Sequence, residues 1–112
     1  MDEQLLKELF EAVYCNAVFP HELIKNLKDH DYLQVKFDSY MDGLRAEIKF
    51  VDEGEQVTSY YYFDKKDFLQ RIEIIEDESV TTIYDRMEEV VRILSERNQL
   101  QSLGKIKELM SA

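Results

Sequence analysis

The chain has one cysteine, one proline, three glycines and no tryptophan among its 112 residues, and each shortage removes a class of answer. With Cys15 alone there is no internal disulfide and no cysteine-built structural zinc site. Three glycines supply neither a phosphate-cradling loop nor a dinucleotide-binding fingerprint. His21 and His30 stand nine positions apart and fit no HExxH or related metal spacing. No apolar run approaches the roughly 18 residues of a membrane span. Bases are also scarce: 14 Lys and Arg against 24 Asp and Glu give a formal charge of -10. That balance argues against a nucleic-acid backbone or an anionic membrane as partner, and favours solubility and basic protein surfaces. Met1-Asp2-Glu3 is acidic where a signal peptide is basic, so a cytoplasmic location is expected.

What the chain does have is enough apolar residue, 45%, for the core of a single domain over residues 1–112. Its organising stretch is Tyr32 to Phe63, which reads as a three-stranded antiparallel meander. A two-residue loop at Asp42-Gly43 pairs Met41 with Leu44, Ser39 with Ala46, Phe37 with Ile48 and Val35 with Phe50. A second loop at Glu53-Gly54 pairs Phe50 with Val57, Ile48 with Ser59, Ala46 with Tyr61 and Leu44 with Phe63. Both turns place the same apolar set on one face, so the period-two pattern specifies the register strongly. The other face mixes Lys36, Asp38, Glu47 and Lys49 with Tyr40, Tyr60 and Tyr62, and Arg45 is expected between Tyr40 and Tyr62.

Helices flank this core. Asp2 is a candidate cap for a helix with Leu5, Leu6, Leu9, Phe10 and Val13 on one side, which Asn16 ends. Phe19-Pro20 starts a short second helix with Leu23, Ile24 and Leu27 as its buried stripe. Asp64 caps a short helical turn through Phe68, and Ile72 and Ile74 alternate with polar neighbours, which permits a short fourth strand. The spacing of Val80, Ile83, Tyr84, Met87, Val90, Val91 and Leu94 predicts one long helix after Glu76-Asp77-Glu78-Ser79. Asn98 ends it, and a final helix carries Leu100, Leu103, Ile106, Leu109 and Met110. The expected fold is therefore α+β, with helices packed on one sheet face, an arrangement that carries no function by itself.

Catalytic chemistry finds no foothold. Asp29-His30-Asp31 orients an imidazole with no nucleophile beside it, and Cys15 has no nearby basic motif to lower its pKa. The run from Asp38 to Asp42-Gly43 imitates the start of a calcium loop, but Tyr40 and Lys49 stand where ligands are required. Acids adjacent in sequence, such as Asp52 with Glu53 or Glu88 with Glu89, diverge in space. The expectation is a non-enzyme without cofactor or metal. Its acidic clusters, Asp52, Glu53 and Glu55 with Glu76, Asp77 and Glu78, together with Tyr60 and Tyr62, are the candidate contacts to a basic protein, as in inhibitors, immunity proteins and nucleic-acid mimics. Residues 97–112 invert the balance, with three bases and one acid. Three strands about 4.8 Å apart support about two helices at roughly 10 Å spacing, yet the chain offers four. Leu100, Leu103, Ile106 and Leu109 are thus the candidate homodimer stripe, and self-association is the alternative function.

Overall fold

The computed structural model describes residues 3–14 and 18–111. The proposed roles of Asp2, Cys15 and Asn16 lie outside the described residues. The elements run α1 (Glu3–Tyr14), α2 (Pro20–Lys25), a 3-10 turn (Asn26–Lys28), β1 (Tyr32–Tyr40), β2 (Gly43–Asp52), β3 (Glu55–Phe63), β4 (Leu69–Glu76), β5 (Ser79–Asp85), α3 (Arg86–Glu96), a second 3-10 turn (Leu100–Ser102) and α4 (Leu103–Ser111). They divide into two compact units: Val18–Asp85, and the two ends of the chain, Met1–Ala17 with Arg86–Ala112.

The first unit is built on a five-stranded antiparallel meander in the order β1-β2-β3-β4-β5. The β2–β3 register is the expected one, with Phe50 opposite Val57 and Ala46 opposite Tyr61. Glu53 and Gly54 take the positive φ values, 52° and 80°, that a two-residue loop of this kind demands. The first hairpin departs from expectation by two residues. Its loop is Met41-Asp42, Tyr40 faces Gly43, and Phe37 faces Ala46 rather than Ile48. Met41, not Gly43, takes the positive φ, 54°. Gly43 serves a different need: a Cβ there would lie 2.0 Å from the Phe63 carbonyl oxygen, so only glycine lets the β2 and β3 backbones approach. Because the slip is even, every side chain keeps its face. Gly43→Ala is expected to cost roughly 1–3 kcal/mol, the range of an overpacked site, in urea unfolding; a variant as stable as the parent would show that the strand ends give way freely.

The fourth strand is longer than expected and is followed by a fifth. Ser79–Asp85 is a strand, not the first turns of the long helix. Val80, Thr81, Thr82 and Ile83 are β-branched, and in a strand they avoid the χ1 crowding of a helix. Asp77 and Glu78 close the β4–β5 hairpin with φ values of 45° and 71°. The expected helical turn after Asp64 is instead a non-helical loop, in which Asp64 Oδ1 accepts the Lys66 and Phe68 amides at 2.9 and 3.0 Å. One row of the core face crosses all five strands, Phe37, Ala46, Tyr61, Ile72 and Tyr84. Ile48, Phe63 and Leu69 are buried around it, with Leu23 of α2 against them. Pro20 opens α2 as expected, but Leu23 alone is buried; Ile24 and Leu27 are exposed.

The second unit is helical. Leu5, Leu9 and Val13 of α1 close on Val90, Ile93 and Leu94 of α3 and on Ile106 of α4. Arg86, itself buried, donates to the Val13 carbonyl, and Arg97 pairs with Glu8 at 3.2 Å. The wide α1 stripe is therefore divided, since Leu6 and Phe10 are exposed. The final helix divides likewise: Ile106 is buried and Leu103 partly so, whereas Leu100 and Leu109 are about half exposed. Asn98 ends α3 as expected, with a φ of 54°.

Candidate functional site: an acidic sheet end

A meander returns alternate turns to the same end of the sheet. The β2–β3 turn, Asp52 to Glu55, and the β4–β5 turn, Glu76 to Ser79, therefore lie at one end. The start of β1 belongs there too, because the Val51 amide donates to the Asp31 carbonyl at 2.7 Å. Asp29, Asp31, Asp52, Glu53, Glu55, Glu76, Asp77 and Glu78 thus share this end. Two acidic runs separated by twenty residues of chain become neighbours through the strand order. Between the two turns is a concave bay of about 410 Å³, lined by Asp52, Glu53, Glu55, Gln56, Val57, Ile75, Glu76 and Asp77.

The acids of the two turns differ from those of the polar sheet face in one respect. Among the described residues, none of the six carboxylates of the two turns has an ion-pair partner. On the polar sheet face Asp38 is matched with Arg45, Glu47 with Lys49 and Glu73 with Arg71, and on α3 Glu89 and Glu96 are matched with Arg92. Arg92 holds the Glu89 carboxyl below its ordinary pKa by hydrogen bonding. The turn acids are all exposed.

Tyr60 and Tyr62 are not part of this group. They stand four and six residues up β3 from Gln56, roughly 13 and 20 Å away at strand rise. They belong to a lattice on the polar sheet face. One row reads Asp38, Arg45, Tyr62, Arg71, Asp85, and the next reads Lys36, Glu47, Tyr60, Glu73, Thr82. The Tyr60 hydroxyl donates to Glu47 at 3.0 Å and the Tyr62 hydroxyl to Glu73 at 2.6 Å. The bond to Glu47, then burial, raises the Tyr60 pKa; for Tyr62 burial leads and the bond to Glu73 follows. Arg45 lies over the Tyr60 ring at 5.1 Å, not between Tyr40 and Tyr62 as its register suggested, because Asp38 draws its guanidinium. Arg71 takes the place over Tyr62, at 4.4 Å. Only the alternation of Arg71 with Ile72 signalled that position in the sequence. Both hydroxyls and both rings are thus engaged within the sheet face.

No family model, curated protein or solved structure matches this chain. Function therefore rests on geometry alone. Among the described residues one group brings three potential metal ligands within 4.8 Å, Asp29, His30 and Asp31, all exposed. Their proximity follows from the turn itself, in which Asp29 Oδ1 accepts the Asp31 amide at 3.0 Å. Also among the described residues, no helix is long and apolar enough to cross a membrane.

Proposed function

We propose that this chain is a non-enzymatic binding module that docks the acidic end of its sheet on a basic surface of a partner protein, in the manner of an inhibitor or nucleic-acid mimic. The observation that supports it is the division of the acids: those on the sheet face are neutralised internally, and those of the two turns are not. Unpaired, exposed carboxylates gathered at one end focus a negative potential there. Such a field speeds encounter with a cationic patch and orients it. The concave bay between the turns suits a projecting lysine or arginine.

Two charge reversals test this. Glu53→Lys with Glu55→Lys, and Glu76→Lys with Glu78→Lys, are all exposed changes that leave the core untouched. Against a lysine-rich peptide, and then against a partner captured by the parent chain from its native host, each double variant is expected to lower the association rate on the order of tenfold and to flatten its dependence on salt. Parent-like rates and an unchanged salt slope in both variants would remove this function.

A further inference from the structure

We infer that two copies of this chain associate through the helical unit, each burying the outer stripe of α1 in an apolar groove of the other. Leu6, Phe10 and Tyr14 follow one another at four-residue intervals along α1, 52%, 57% and 40% exposed, with the Phe10 and Tyr14 rings 5.2 Å apart. Leu109 of α4, 49% exposed, faces the same groove, whose volume is about 280 Å³. Its floor is Leu9, Val13 and Ile106 from the core, and Ser102, Lys105 and the Tyr14 hydroxyl are the polar groups that side chains bring to its lining. A small polar ligand has little to recognise in it. An apolar helical stripe fits it, entering by side chains three and four apart.

Charge decides whose stripe it is. Val18–Asp85 carries 16 acids against 8 bases, and the remaining residues carry 8 against 6. Nearly all of the net charge that keeps copies apart is thus outside the helical unit. The two helices that form the groove carry opposite charge: α1 bears Glu3 and Glu11 against Lys7, with Glu8 already paired to Arg97, and α4 bears Lys105, which lines the groove, and Lys107 against Glu108. A two-fold axis lays the acidic α1 of one copy beside the basic α4 of the other, and the match is made twice. The surface involved is not the final-helix stripe that the sequence suggested. Ile106 and Leu103 are taken by the core, and α1 supplies most of the outer apolar side.

Light scattering and sedimentation of the full chain at tens of micromolar test the arrangement. The parent is expected to give a dimer mass that falls on dilution, and Phe10→Glu, an exposed change whose fold is checked by circular dichroism, is expected to weaken dimerisation on the order of tenfold or more. Glu11→Lys and Lys105→Glu chains are each expected to be monomeric alone and to dimerise when mixed, since only the mixed pair restores both opposite-charge contacts between copies. A parent that stays monomeric throughout overturns the inference and leaves the groove to a helix of another protein. A dimer indifferent to Phe10→Glu, or variants that do not recover on mixing, overturn it equally.

Discussion

Replacing Ile48 with alanine is expected to lower the free energy of unfolding by roughly 2–5 kcal/mol, a large part of what a small domain has to lose. Ile48 is 2% exposed on β2, between Val35 and Ser59 in the register. Those neighbours are small, and Ala46, two positions along, is smaller still. Little side-chain volume is at hand to collapse into the space, so the cavity persists and its cost adds to the lost transfer energy. Val80→Ala on β5 provides the contrast, because Val80 is 57% exposed and such changes stay within about half a kcal/mol. Urea midpoints for the two variants measure the difference. Equal midpoints would mean that Ile48 does not face the core.

Arg86 is the other sensitive point. It is 1% exposed at the first residue of α3, and its guanidinium donates to the Val13 carbonyl in the last turn of α1. That carbonyl is among those a helix end leaves without an internal donor. Arg86→Ala opens a cavity the length of the side chain and strips the acceptor, and a loss of about 2–4 kcal/mol is expected. Arg86→Met keeps much of the volume and removes a buried charge, so it is expected to recover part of that loss. Arg92→Ala, which breaks only exposed pairs with Glu89 and Glu96, is expected to cost less than about 1 kcal/mol. Chemical unfolding of the three variants ranks them. If Arg86→Ala proves no worse than Arg92→Ala, the buried contact does not hold the helical unit together.

The legible parts of this chain were those where two signals agreed. Glu53-Gly54 joined a turn pair to an alternating pattern on both sides, and that hairpin came out in register. Gly43 carried an ambiguous signal: an Asp-Gly pair suggests a loop with positive φ, whereas the glycine is required because Phe63 leaves no room for a Cβ. The β4–β5 hairpin gave no turn signal at all. Asp77 and Glu78 adopt positive φ without glycine or asparagine, and the apolar residues from Val80 to Leu94 satisfy a helical period as well as a strand followed by a helix. The six acids were legible as candidates, but their adjacency was not, since only the hairpin brings Glu76, Asp77 and Glu78 beside Asp52, Glu53 and Glu55. In α1, periodicity marked the apolar side but not its width. That Leu5, Leu9 and Val13 turn inward and Leu6 and Phe10 do not depends on where α3 and α4 lie.

The helical unit is assembled from the two ends of the chain, with the meander between them. On the ribosome α1 therefore precedes the meander, and the α3 and α4 it packs against follow the meander. Strands β1 to β5 are neighbours in sequence and can close in turn as they emerge. Leu5, Leu9 and Val13 stay in water throughout that time, beside a second apolar row on the same helix. Their burial waits for α3 and for Ile106 of α4, and any chain cut short before α3 leaves both sides of α1 open.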